Sequence, residues 1–125
     1  MQNNTEFLKI VANAKMRINE CNIFHIKEML DNNTLDGIII DVREESEFVT
    51  AHLPGAHHLS RGIIEARIEN LIPNKQQKIY LYCAGGFRSA LSADNLQKMR
   101  YENITSVNGG FSAWVENGFP LNTEN

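Results

Sequence analysis

Ile79-Tyr80-Leu81-Tyr82-Cys83-Ala84-Gly85-Gly86-Phe87-Arg88-Ser89 is the stretch on which the reading of the fold turns. Its first four residues are apolar or aromatic without alternation, the pattern of a strand buried on both faces. Ala84-Gly85-Gly86-Phe87-Arg88 cannot continue that strand, because paired glycines interrupt it. A helix is predicted to begin near Ser89, with Ala93, Leu96 and Met99 forming its inward stripe. Strand, tight loop, helix is the unit from which parallel sheets covered by helices are built.

The same alternation extends outward in both directions. Upstream, Ile38-Ile39-Ile40 reads as a second buried strand that ends in Asp41-Val42-Arg43. Between the two strands Ile64, Ile68 and Leu71 recur at helical spacing, with Ser60 as a candidate N-cap and Pro73 as the stop. Downstream, a short strand is expected from Ile104 to Val107, then a turn at Asn108-Gly109-Gly110. Phe111, Trp114 and Val115 suit a final helix closed by Gly118, with Pro120 beyond it. Ahead of the first clear strand the pattern predicts a helix from Glu6 to about Ile18 and another near Ile26 to Leu30. The fold class is therefore α/β, with no internal repeat and no low-complexity linker.

With 125 residues the chain can bury a core without disulfides or a structural metal. Its 42% hydrophobic and 22% charged residues are ordinary for a globular protein, and a formal charge of -3 offers no broad basic surface, so nucleic acid is not an expected partner. No run approaches the roughly 20 apolar residues of a membrane span. The polar opening Met1-Gln2-Asn3-Asn4 lacks the basic-then-apolar order of a secretory signal, so a cytoplasmic location and no membrane partner are expected. The two cysteines, Cys21 and Cys83, are too few for a disulfide scaffold, and free thiols are expected. Neither lies in a paired metal-ligand spacing, so no metal and no cofactor are expected; His52, His57 and His58 read as surface or loop groups.

Cys83 stands where open parallel sheets bind ligands, at the carboxyl edge of a central strand. Gly85 and Gly86 remove side-chain bulk and permit positive φ, so successive N–H groups can turn toward one point as an anion nest. A thiolate is an anion, and both the positive end of the following helix and the Arg88 guanidinium favour it. A lone cysteine at a strand end is ordinarily a small buried hydrophobe. Here paired glycines, an arginine and a helix start converge on it, which makes Cys83 the candidate nucleophile. Cys21 has no such context and reads as a packing residue.

These residues resemble a known family. Asp41-Val42-Arg43-Glu44, Glu47-Phe48 and His52-Leu53-Pro54-Gly55-Ala56 look like the first signature of rhodanese-like domains. Cys83 to Ser89 resembles their active-site loop, and Gly109-Gly110-Phe111, Trp114 and Gly118-Phe119-Pro120 are similar to their closing segment. The resemblance implies a three-layer domain over residues 23–121, with a central parallel sheet of about five strands and helices on both faces. Residues 1–22 would be an N-terminal helical extension and 122–125 a tail. It also implies a sulfurtransferase whose Cys83 takes a sulfane sulfur from thiosulfate or a related donor as a persulfide. Cyanide or a thiol then accepts that sulfur. The loop Ala84, Gly85, Gly86, Phe87, Arg88 and Ser89 would hold the charged outer sulfur, with Arg88 binding an anionic donor. Arg61 resembles an arginine that many single-domain members place near the pocket, though a solvated helix-start residue fits it equally. Asp41 and Arg43, charged at the end of a buried strand, are expected to brace each other, and Trp114 is expected in the core.

Related chemistries remain alternatives. A cysteine-dependent phosphatase resembles rhodanese in fold but places five residues between cysteine and arginine, whereas four, Ala84 to Phe87, stand here. The shorter loop favours a sulfur-sized ligand over phosphate, and nothing singles out arsenate reduction. A non-catalytic interaction module commonly lacks the cysteine that this chain keeps. A protein-to-protein persulfide relay would combine both ideas, with a sulfur-relay protein as partner; an exposed apolar patch near Phe87 would support it. Ala84 stands where several family members carry a basic residue, which predicts weaker thiosulfate binding.

Overall fold

The computed structural model describes residues 4–123. In chain order the elements are α1 (Thr5–Lys15), β1 (Asn19–Asn22), α2 (Ile23–Asn32), β2 (Ile38–Asp41), α3 (Glu45–Thr50), β3 (His57–His58), α4 (Ile64–Leu71), β4 (Ile79–Tyr82), α5 (Phe87–Lys98), β5 (Ile104–Asn108) and α6 (Gly110–Glu116). The strands form one sheet in the order β1-β5-β4-β2-β3, and every pairing is parallel. Parallel neighbours need crossover connections, and the helices supply them.

Alternation along the strands sorts the core into two layers. Ile79, Leu81 and Cys83 point to one face with Ile40, Val42 and Ile104, where they meet Ile64 and Ile68 of α4 and Ala93 and Leu96 of α5. Tyr80 and Tyr82 point to the other, where they meet Ile23, Ile26 and Met29 of α2 and Trp114 of α6. All four β4 residues are buried, because helices cover both faces of the sheet's middle strand. Outside the first layer, α1 lies against α5, held by the two-pronged pair of Arg17 with Asp94 at 2.9 and 2.7 Å.

Several sequence expectations need correction. The helix after Cys83 starts at Phe87, two residues before Ser89. Ser60 caps nothing on α4, and Leu71 and Val115, expected inward, are exposed. Two strands were not anticipated. β1, Asn19-Glu20-Cys21-Asn22, lies in the stretch assigned to the N-terminal helical extension and has no apolar run; β3 is two histidines. His52 is buried rather than at the surface: its ring stacks on Phe48 at 3.8 Å between centroids, and its Nδ1 lies 2.8 Å from the Phe48 carbonyl. His58 is half-buried, with Nε2 2.7 Å from the Arg43 carbonyl oxygen. Trp114 is fully buried, and its Nε1–H donates to the Pro120 carbonyl at 2.8 Å.

Candidate functional site

The first turn of a helix leaves backbone N–H groups without partners inside the helix. On α5 no side chain caps them; Gly86 occupies the cap position with φ of 103°, a conformation that glycine adopts at little cost. The Cys83 sulfur takes the place of a capping oxygen. Its Sγ accepts from the Gly86 N–H at 3.1 Å and from the Ser89 N–H at 3.4 Å, while the thiol lies 3.6 Å from the Ser89 hydroxyl oxygen. These donors and the positive end of a 12-residue helix converge on one atom, so negative charge on that sulfur is met by partial positive charge from several directions.

The outer wall of the loop is fixed from α6. The Phe111 N–H donates to the Cys83 carbonyl at 2.8 Å and the Ser112 N–H to the Ala84 carbonyl at 2.9 Å. Both carbonyls are thereby satisfied by α6. Gly110, at φ of 51°, makes this approach close: a Cβ there would lie 2.3 Å from the Cys83 carbonyl oxygen. Cys83 itself is 1% exposed, whereas Gly85 and Phe87 are at the surface, so the sulfur sits beneath a loop whose tip faces solvent.

Arg88 does not stand unpartnered. Its guanidinium makes two hydrogen bonds to the Glu47 carboxylate, at 2.9 and 3.3 Å, and Glu47 also accepts from the Glu44 N–H at the start of α3. The pairing holds the Glu47 carboxyl below its ordinary range and raises Arg88. Glu47 is a residue whose place at the site sequence reading missed: it stood in the quoted signature, yet nothing local announces a partner 41 residues away.

Asp41 and Arg43 form a closed, buried pair. The Asp41 carboxylate accepts from Arg43 Nε and from Nη2 at 2.7 Å, from the Arg43 N–H at 2.8 Å and from the Tyr82 hydroxyl at 2.8 Å. Arg43 also donates to the Ala51 carbonyl at 2.7 Å and lies 4.0 Å from the Phe111 ring centre. Burial and the Asp41 charge push the Tyr82 hydroxyl well above its ordinary value. Arg61 lies apart from the loop. Its N–H donates to the Val42 carbonyl at 3.0 Å, and its side chain lines a groove of about 380 Å³ between α1 and α5 with Phe7, Ile10, Leu91 and Asp94. No residue of the Cys83 loop lines that groove. Cys21 is half-buried on β1, and desolvation pushes its thiol up to about 11. Among the described residues no group of three or more His, Cys, Asp or Glu side chains could hold a metal ion, and no helix is long and apolar enough to cross a membrane.

Comparison with known proteins agrees with this architecture. Residues 25–117 match the Rhodanese-like domain family. The chain belongs to that family, whose relatives include sulfurtransferases and sulfur carriers. It is 31% identical over 101 residues to the thiosulfate sulfurtransferase GlpE of Pseudoalteromonas translucida, covering 79% of this chain and 90% of that one. It is 35% identical over 77 residues to YrkF of Bacillus subtilis, provisionally described as a sulfur carrier protein; the match covers 62% of this chain and 40% of YrkF. Among solved structures, a Rhodopseudomonas palustris protein of unknown function with a provisional tyrosine-phosphatase description superimposes with a TM-score of 0.84 at 27% identity, over 93% of each chain.

Proposed function

We propose that this protein moves a sulfane sulfur through a persulfide on Cys83. The observation that carries the proposal is the convergence of the Gly86 and Ser89 N–H groups on Sγ at the start of α5. In the first half-reaction the Cys83 thiolate attacks the outer sulfur of thiosulfate. The Sγ–S bond forms as the donor S–S bond breaks, and sulfite leaves with the electron pair. In the second, a thiophile such as cyanide attacks the outer sulfur; thiocyanate leaves and the Cys83 thiolate is regenerated. The sulfur is itself the covalent intermediate, so the cycle balances with no other group taking part. N–H donors of the Ala84 to Ser89 loop would hold the charged outer sulfur, and Arg88, at the loop's end, would draw in an anionic donor.

A persulfide relay between proteins draws support from one feature. Phe87, 43% exposed at the loop tip, meets Phe7 of α1 edge-on with ring centres 6.1 Å apart, so an apolar rim stands beside the sulfur loop for a partner chain to rest on. Phosphatase chemistry has less support: four residues rather than five separate Cys83 from Arg88, and the shorter loop leaves less room for a phosphate and its oxygens. A purely binding role does not use the amide cradle around Sγ.

Intact mass spectrometry tests the proposal. Incubation with thiosulfate should add ~32 Da at Cys83, and cyanide should remove it. The Cys83→Ser protein should gain nothing. A wild-type chain that stays at its unloaded mass with thiosulfate and with polysulfide, its thiol confirmed reduced, would sink the reading.

A further inference from the structure

Ser106 of β5 has no part in the cycle as described, yet it is fully buried and its hydroxyl lies 2.8 Å from the hydroxyl of Ser89. Ser89 is likewise fully buried and lies 3.6 Å from the Cys83 sulfur. Register explains how a strand residue reaches there. Ser106 pairs with Leu81 and follows the Ile104 alternation, so its side chain leaves the sheet on the face that α5 covers. The three groups form a line from β5 through α5 to the end of β4.

We infer that Ser106 is a positioning residue that orients the Ser89 hydroxyl toward the Cys83 sulfur and so favours the anionic form of that sulfur; the inference rests on the reading of Cys83 as the sulfur carrier. The argument is a count of hydrogens. When Cys83 is a thiol, its S–H donates to Ser89 Oγ, the Ser89 O–H donates to Ser106 Oγ, and the Ser106 O–H is left without an acceptor. Among the described residues Ser106 Oγ meets no hydrogen-bond partner besides Ser89. A buried donor left idle costs free energy. When the sulfur has lost its proton to solvent, both hydroxyls turn round. Ser106 then donates to Ser89, Ser89 donates to the sulfur, and every hydrogen in the line has an acceptor. No proton moves along the chain; only the two hydroxyl rotors reverse. The anion gains a third donor beside the Gly86 and Ser89 amides, and the same donor is in place for the thiolate released each time sulfur leaves.

The charges around the loop do not do this work alone. From α5, Arg88 feels the Cys83 charge, but α3 answers it with Glu47; at the end of β2, Asp41 and Arg43 neutralise each other. β5 contributes only neutral side chains, Ile104, Thr105, Ser106, Val107 and Asn108, and among them the hydroxyl of Ser106 is the one linked to the sulfur by hydrogen bonds, through Ser89.

Ultraviolet thiolate absorbance followed against pH reads the effect without requiring any reagent to reach a buried sulfur. Interference is low, because burial pushes Cys21 up to about 11 and raises Tyr80, Tyr82 and Tyr101 as well. In Ser106→Ala the thiolate band should appear about half a pH unit higher than in the wild type, the size of one modest hydrogen bond. Ser106→Val should move likewise, while Ser106→Thr, of the same shape with the hydroxyl kept, should stay closer to the wild type. A band that is unmoved in both the alanine and the valine proteins overturns the inference. Sulfur loading is measured separately by mass, so a band that moves in a protein that never gains sulfur supports the role of Ser106 while removing the proposed function.

Discussion

Asp41 and Arg43 show what a buried charge needs in order to persist. Each oxygen of Asp41 has a donor, and Arg43 spends its remaining Nη2 capacity on the Ala51 carbonyl. Removing one partner strands the others, so Asp41→Ala should cost about 3–5 kcal/mol in urea denaturation, leaving an uncompensated guanidinium and a Tyr82 hydroxyl without its acceptor. Glu47 and Arg88 are a different case. Each side chain is about one-third exposed, at 35% and 29%, so solvent screens the pair and Glu47→Gln should change stability by less than about 1 kcal/mol. Since Glu47 is held below its ordinary range, its contribution is present above the unfolded carboxylate's range and is lost as pH falls through the lowered value. The larger effect should be kinetic: with the carboxylate charge gone, Arg88 is freer to meet an anionic donor, and the thiosulfate KM should fall roughly twofold, as screened charge effects of this size allow. At this scale the sequence was informative wherever position alone carried the meaning. Cys83 at a strand end and Asp41 with Arg43 at another could be read directly. Glu47 with Arg88, and Ser89 with Ser106, could not, because each pair exists only after distant elements meet.

Among the elements, β2, β4 and α5 were legible because burial on both faces, or on one helical stripe, forces an apolar pattern. β1 and β3 were not. Both lie at sheet edges and are held by backbone pairing to β5 and β2, which asks little of the side chains, so Asn19-Glu20-Cys21-Asn22 and His57-His58 carry no strand signature. The helix after the loop was placed two residues late for a related reason: its opening amides are satisfied by a sulfur rather than by a capping side chain, and no capping residue marks the start. The junction of β5 with α6 can be tested as a unit. Gly110→Ala would drive a methyl group into the carbonyl of Cys83 at a backbone conformation that disfavours any side chain. The loop must shift in response, and sulfur loading should drop at least about tenfold even where the protein still melts cooperatively, as a 1 Å misplacement at a reacting centre does. Mass-resolved loading rates compared with thermal unfolding would show the two effects separately.

Taken whole, the molecule sets the Cys83 sulfur at the end of the middle strand of five, with two covered faces behind it and one loop in front. α/β class and parallel sheet follow from the hydrophobic runs, and the place of Cys83 between a buried strand and a helix follows from the glycine pair behind it, which is why they could be foreseen. How α1 lies could not be foreseen, since its docking depends on Arg17 finding Asp94 and Phe7 finding Phe87 across the length of the chain. The family match spans residues 25–117, and Phe7 stands outside it, on a helix that nevertheless reaches the rim above the sulfur. A shift of α1 against α5 would therefore move the rim beside the Cys83 loop while leaving every residue of the loop itself unchanged.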